Sequence, residues 1–332
     1  MRAWLMDTYE GAEKLRLDEV PEPQPGPGQV VIRILYAALN PADAFLSLAQ
    51  YPAKPSLPHV LGRDGVGEAV AIGAGVANVK TGDIVGILRG NNGVERWGTL
   101  AGMTVVDSAD LVPVPQGWSQ QEVAGAPLVF LTAWQALTQW SEPDAPPPSG
   151  SVALITGASG GVGSAAVLLA KSMGLTVVGL SRSEQKAVQL KQLGADLVFD
   201  PAEKNLRKLV LAALAPKRID IVVDMVGGPL FNELIAMLGY AGRISVVGRS
   251  GGAVPEFNTA TLFFRRNRIG GVSVANYSAP QARAAWDEIV SRLDAQGKRP
   301  VVDGVYAFAD VKAAFARLNQ GPMGKVLVKV AD

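Results

Sequence analysis

The sequence predicts an α/β chain of two domains: a barrel-like all-β domain formed by both chain ends, and a doubly wound parallel sheet inserted between them. Three features carry that expectation. Short runs of branched residues, broken by glycine-containing turns, fill about the first 125 residues, which is barrel texture. From Ser151 to Val247 apolar runs alternate with segments of helical spacing, the pattern of βαβ units with helices on both sheet faces. After about Leu262 the strict alternation stops and short strands return. The chain has 332 residues, 48% of them hydrophobic, enough for two cores at roughly 100–200 residues per domain. The expected boundaries are 1–125 with 265–332 for the β domain and 126–264 for the α/β domain.

The proline- and glycine-rich stretch 21–28 feeds a strand at 30–35, and further strands are expected at 66–71, 84–88 and 111–113. A helix at 128–140 is followed by Pro143, Pro146, Pro147 and Pro148. Because a helical pattern precedes them, these prolines read as a loop inside the second domain rather than a linker. The alternating region is expected as strands 152–156, 176–180, 197–199, 219–223 and 243–247, with helices 162–173, 184–193, 203–214 and 229–238 between them. Beyond it come a strand at 268–274, a helix at 279–295, a strand at 305–308 and a helix at 311–319 capped by Asp310 and stopped by Gly321. A strand at 325–330 closes the chain.

Composition removes several function classes. Lys plus Arg number 31 against 30 for Asp plus Glu, so no global field favours nucleic acid or an anionic membrane. The chain has no Cys, which excludes disulfides, iron–sulfur clusters and thiolate zinc sites. Its one histidine, His59, rules out paired-imidazole metal sites and is read as structural. Met1 to Glu10 lacks the layout of a signal peptide, and no apolar run approaches the ~20 residues of a membrane span. The expectation is a soluble, cytoplasmic protein with no nucleic-acid or membrane partner and no metal.

The strongest local signal is Ile155-Thr156-Gly157-Ala158-Ser159-Gly160-Gly161-Val162-Gly163, which follows a buried strand and opens a helix. That is the setting of a dinucleotide-binding turn. Ser159, Gly160, Gly161, Val162 and Gly163 are its candidate cofactor residues, although Ala158 stands at the first glycine position. Gly160 lets backbone approach a pyrophosphate, Gly163 lets helix pack on strand, and the helix N-terminus offers free N–H groups. An acid at the end of the second strand would bind a ribose 2′-hydroxyl; Ser181 stands there instead, followed by Arg182 and Lys186. A guanidinium pairs with a 2′-phosphate that a carboxylate would repel, so the pattern predicts NADPH, with solvated surface charge as the other reading of Arg182 and Lys186. Ligands lie at the carboxyl ends of strands in such sheets, which adds Val226, Gly227, Gly248 and Arg249.

Several motifs carry a family resemblance over nearly the whole chain. Leu61-Gly62-Arg63-Asp64-Gly65-Val66-Gly67-Glu68, with Val79–Asp83, resembles the core motif of the medium-chain dehydrogenase/reductase superfamily. Thr132-Ala133-Trp134-Gln135-Ala136-Leu137 and Gly324-Lys325-Val326-Leu327-Val328 resemble markers of its quinone oxidoreductases. The resemblance implies a GroES-like barrel formed by both chain ends, an inserted Rossmann domain, and cofactor contacts from Asn40, Thr132 and Lys325. Zinc members ligate the metal with Cys, His and a further Cys or carboxylate; here Asn40 stands at the first-ligand position and Arg63 at that of the His, and Asp64 alone cannot build a zinc site. Asn40-Pro41-Ala42-Asp43, then Gln50-Tyr51-Pro52, is similar to a stretch shared by quinone and enoyl-thioester reductases, with Gln50 in place of the usual small residue.

By that resemblance Tyr51 and Asn40 are the candidate catalytic residues, Tyr51 assisting protonation. Tyr51 as a pocket wall and Asn40 as a turn residue stand beside those readings. The implied activity is NADPH-dependent reduction of a quinone or an α,β-unsaturated ketone. An enoyl-thioester reductase and a non-catalytic NADPH-binding protein of structural or regulatory role are the alternatives. The resemblance also implies a homodimer, with 261–274 and its Phe263 and Phe264 supplying an edge-to-edge interface.

Overall fold

A computed structural model describes residues 1–141, 144–253 and 256–331. Pro143, one of the four loop prolines, lies outside these residues. The first part of the chain carries strands β1 (Arg2–Met6), β2 (Arg16–Glu19) and β3 (Gln29–Ala38), then helix α1 (Pro41–Ser47). Strands β4 (His59–Val60), β5 (Asp64–Ile72), β6 (Ile84–Ile87), β7 (Met103–Asp107) and β8 (Leu111–Pro113) follow, then helices α2 (Gln120–Gly125) and α3 (Pro127–Thr138). The middle alternates: β9 (Val152–Ile155), α4 (Gly161–Ser172), β10 (Thr176–Leu180), α5 (Glu184–Leu193), β11 (Leu197–Phe199), α6 (Leu206–Leu214), β12 (Ile219–Asp224), α7 (Leu230–Met237) and β13 (Leu238–Val246). Then come α8 (Ala260–Arg265), β14 (Arg268–Gly271), α9 (Ala279–Ala295), β15 (Val302–Ala307), α10 (Val311–Asn319) and β16 (Lys325–Lys329). Two units result: 1–129 with 275–287 and 299–332, and 130–274 with 288–298.

In the first unit the main sheet runs β15-β16-β3-β5-β6-β8, with β7 also paired to β3. The last strand of the chain is therefore internal: β16 pairs antiparallel with β3, Leu327 opposite Ala38. Strand β3 is flanked on both sides, and Val30, Val31, Ile32 and Ile34 are all buried, which explains a near-continuous apolar run where a half-exposed strand would alternate. Ile32, Ile34, Leu61, Phe315, Val326 and Val328 share one core, so both chain ends build it.

The second unit holds a parallel six-stranded sheet in the order β11-β10-β9-β12-β13-β14. Counted along the chain this is 3-2-1-4-5-6, the doubly wound order whose direction reverses between the first and fourth strands. All of β9 is buried, as an apolar run covered on both faces requires. Helix α6 buries Leu206, Val210 and Leu214, one stripe at helical spacing, against the core of β9, β10 and β12.

Several expected elements shift, each for a local reason. The helix expected from 203 starts at Leu206, because Asp200 first folds a turn in which its carboxylate accepts from Ala202 N and its carbonyl from Glu203 N. Strand β13 starts at Leu238 and not at 243, with Ala241 in the left-handed region at φ 58° and a register shift against β12. Asp310 stands at the N-cap of α10 without a side-chain cap bond. Residues 265–274, expected in the β domain, belong to the α/β unit, since β14 pairs in parallel with β13 from Arg268 opposite Arg243.

Candidate functional site

In the α/β unit, α4 begins right after the glycine turn that leaves β9, with Gly160 at its N-cap. A β-carbon on Gly163 would run into the Gly157 carbonyl oxygen and the Ala158 backbone, so this glycine is required by helix-on-strand packing. Gly160 differs. A β-carbon there would meet only Gly157 O, at an ordinary 3.5 Å. The protein leaves the space over Gly160 open, as the approach of a pyrophosphate would need. The uncapped first-turn N–H groups and the positive end of α4 face the same place.

The neighbouring strand β10 ends at Leu180, followed by half-buried Ser181 and exposed Arg182. Ser183 caps α5, its Oγ accepting from Lys186 N at 3.3 Å, so Lys186 sits in the first turn. Thr156 and Asp224 lock the reversal point: Thr156 Oγ1 donates to Asp224 Oδ1 at 2.7 Å, and Asp224 also accepts from Val226 N at 3.0 Å and Gly227 N at 3.1 Å. This fully buried carboxylate shapes the loop carrying Val226 and Gly227. Packing of Gly248 on the Met225 carbonyl, 3.0 Å from a β-carbon placed on Gly248, joins to it the loop carrying Gly248 and Arg249. Sequence reasoning missed the Thr156–Asp224 bond; its only trace is a polar residue at each of two strand ends.

In the β unit, Asn40, Asp64 and Lys325 meet. Lys325 Nζ donates to Asn40 Oδ1 at 2.7 Å and to Asp64 Oδ2 at 2.8 Å, while Asn40 Nδ2 donates to the same Asp64 oxygen at 3.0 Å. Asp43 ties the backbone around them, accepting from Asn40 N at 2.8 Å and Gly62 N at 3.2 Å. Half-buried Tyr51 accepts from Arg63 Nη1 at 3.2 Å, which leaves its own hydroxyl hydrogen free to donate. Thr132 lies on α3. An open groove of about 860 Å³ in this unit is lined by Val79, Asp83, Val112 and Arg283, and none of Asn40, Tyr51, Asp64 or Lys325 borders it.

Burial pushes the Asp43 carboxyl up to about 6, opposed by the Asn40 N–H and the Lys325 charge and assisted by Asp64. Burial holds the His59 imidazole below its usual value, against a bond with the Gly93 backbone. His59 Nε2 has no partner, and the ring is 1% exposed, a packed side chain.

Residues 26–116 match the family described as alcohol dehydrogenase GroES-like domain, and residues 161–294 that described as zinc-binding dehydrogenase. A quinone oxidoreductase of Rattus norvegicus is 27% identical over 332 residues, covering 99% of this chain and 97% of that protein. A solved NAD-dependent alcohol dehydrogenase is 31% identical with a TM-score of 0.90 over 100% of both chains. A mycobacterial protein solved with NADPH is 25% identical with a TM-score of 0.89, over 99% of this chain and 100% of that one. The chain belongs to the medium-chain dehydrogenase/reductase superfamily. Within it the chain falls on the quinone oxidoreductase branch.

The zinc in the family description does not fit these residues. The chain has no Cys and one His, and that His is packed away from the cluster's bonds. Among the described residues no group of three or more His, Cys, Asp or Glu could hold a metal ion. Asn40 and Asp64 already face a cation, the Lys325 ammonium.

Asp43 gives the site a pH signature. Its folded-state pKa of about 6 lies above the ordinary 3.8, so the stability it contributes is complete below pH ~4 and is lost as pH rises through about 6. Relative to Asp43→Asn, the wild-type protein is expected to lose on the order of 2–3 kcal/mol between pH 4 and pH 7. Urea unfolding of both proteins across that range checks it; parallel curves would refute it.

Proposed function

We propose that this chain is an NADPH-dependent, zinc-free reductase that passes hydride to a quinone or an α,β-unsaturated ketone. The observation that carries the reading is the carboxylate-free end of β10. There Ser181 and exposed Arg182 follow the strand next to the pyrophosphate-type turn. An acid at that place selects NAD by its bond to the 2′-hydroxyl; a serine and a guanidinium suit a 2′-phosphate. The relative solved with NADPH supports this assignment. The full-length match to an NAD-dependent alcohol dehydrogenase is the reason to test it with both cofactors.

The residues fit the group. The α4 N-terminus, with Ser159, Gly160, Gly161, Val162 and Gly163, receives the pyrophosphate; Ser181, Arg182 and Lys186 receive the 2′-phosphate. Val226, Gly227, Gly248 and Arg249 line the carboxyl ends of β12 and β13, where the other half of a dinucleotide lies in such sheets. When bound, NADPH supplies the hydride. A simple alcohol needs a metal or a strong base, and the β unit offers Asn40, Tyr51 and Arg63 instead. Those groups suit an acceptor already polarised by conjugation. As hydride reaches its electron-poor carbon, negative charge gathers on the carbonyl oxygen; hydrogen-bond donors hold that charge, and Tyr51 delivers a proton. Rat quinone oxidoreductase favours the quinone acceptor over the enoyl thioester.

A homodimer belongs to the same reading. β14 is the sheet edge, and in the segments next to it Phe263 is 64%, Phe264 76% and Tyr240 68% exposed, aromatic surface beside open backbone groups. Cytoplasmic location is part of the reading too; among the described residues no helix is long and apolar enough to cross a membrane.

Four outcomes are expected. NADPH oxidation at 340 nm should proceed with 1,4-benzoquinone, 9,10-phenanthrenequinone or an alkyl vinyl ketone faster than with crotonyl-CoA, and much faster than with NADH. Arg182→Ala should raise KM for NADPH roughly tenfold and leave that for NADH unchanged; an NADH preference in the wild type would overturn the cofactor assignment, and tight NADPH binding without turnover would favour the non-catalytic alternative. Tyr51→Phe should lower kcat by roughly 100-fold with unchanged NADPH affinity, and an unaltered kcat would return Tyr51 to the pocket wall. Phe263→Asp combined with Phe264→Asp should convert a dimer to a monomer in sedimentation equilibrium; a wild type already monomeric would remove the interface.

A further inference from the structure

We propose that Lys325 and Asp64 are positioning residues that act through Asn40, holding its carboxamide in a single orientation with one Nδ2 hydrogen left to offer a ligand. The inference rests on the reductase reading above for the reaction it serves, but the geometry stands on its own.

Asn40 precedes α1, Asp64 opens β5 and Lys325 opens β16, so three separate elements deliver the three side chains. They are 5%, 1% and 4% exposed. Their bonds close a triangle: ammonium to amide oxygen at 2.7 Å, ammonium to carboxylate at 2.8 Å, and amide nitrogen to the same carboxylate oxygen at 3.0 Å. Turning the amide over would set its NH2 against the ammonium and its oxygen against the carboxylate. Both contacts would be repulsive, and burial of all three side chains leaves little solvent to screen them. The amide orientation is therefore dictated by charge.

The cation is itself held. A β-carbon on Gly125 of α2 would come within 3.0 Å of Lys325 Cβ and 3.1 Å of its Cγ, so the helix clamps the lysine stem. From the other side Asp43 fixes the backbone of Asn40 and of Gly62, two residues before Asp64. An amide has two N–H donors and an ammonium three. Here one Asn40 donor and two Lys325 donors are committed. The arrangement gives Lys325 its place in the buried triangle.

The test uses the full-length protein with Lys325→Met, Asn40→Ala and the two combined, reading NADPH affinity by fluorescence titration and kcat with the best quinone. Each single change should lower kcat roughly 10- to 100-fold with NADPH Kd within about twofold, and the double variant should be no slower than Asn40→Ala alone. Multiplying losses would overturn the proposal, as would a large rise in Kd with kcat unchanged. Lys325→Met leaves Asp64 buried without its cation; if that variant does not fold, Lys325→Met with Asp64→Asn takes its place under the same criteria. A second readout separates this proposal from the reductase reading. Hydrogen exchange at the Asn40 side-chain amide, followed by NMR, should be slow in the wild type and fast in Lys325→Met, with α1 backbone amides unchanged. That result would stand even if no acceptor were reduced, whereas fast exchange in the wild type would refute the triangle.

Discussion

Lys325 is buried with its charge, and much of the β unit is arranged around that fact. An ion taken out of water costs several kcal/mol unless it is paired and hydrogen-bonded. Here the pairing comes from Asp64 and Asn40, 261 and 285 residues earlier in the chain. The bond can form only if β16 lies inside the sheet, next to β3 and not at its rim. A chain whose last strand failed to dock would expose an acidic pocket and leave a lysine without a partner. The building of this sheet from both chain ends and the geometry of the polar cluster are thus one constraint. Burial of Val326 and Val328 in the same core as Ile32 and Ile34 supplies the driving force.

The α/β unit solves a different problem largely with backbone. The surface proposed for a pyrophosphate is made of N–H groups at the start of α4, with loops at strand ends beside it. What side chains do there is hold the loops still. Asp224 accepts from one hydroxyl and two backbone amides at the point where strand order reverses, and Gly163 admits the helix to the strand. Rigid elements carry the turn, so the groups that would meet a phosphate are set before it arrives.

The two units also differ in how they use charge. In the β unit the charges are internal and neutralise one another, and Tyr51 is left with a hydroxyl hydrogen not required by Arg63. In the α/β unit Arg182 is exposed, and its strand ends in Ser181 where an acid would stand for a ribose 2′-hydroxyl. One arrangement suits orienting a small acceptor without a metal; the other suits attracting an anion from solvent.

The sequence by itself determined the class of fold, because periodicity records which faces are buried. The run of β9, the alternation through β13 and the glycine turn before α4 are local statements about spacing and backbone freedom, and each was legible. It also determined what is absent: without Cys and with a single His, no zinc site of the family's kind can be written. The start of α6, the long β13 and the membership of 265–274 in the α/β unit were not legible, since a turn at Asp200, a left-handed Ala241 and a strand pairing override propensity locally. The site shows the same division. Asn40, Tyr51 and the cofactor turn stand out as motifs. The triangle that orients Asn40 and the Thr156–Asp224 bond at the sheet reversal were decided only by tertiary structure, because each joins residues tens to hundreds of positions apart that no spacing rule connects, through distances that exist only once the strands have packed.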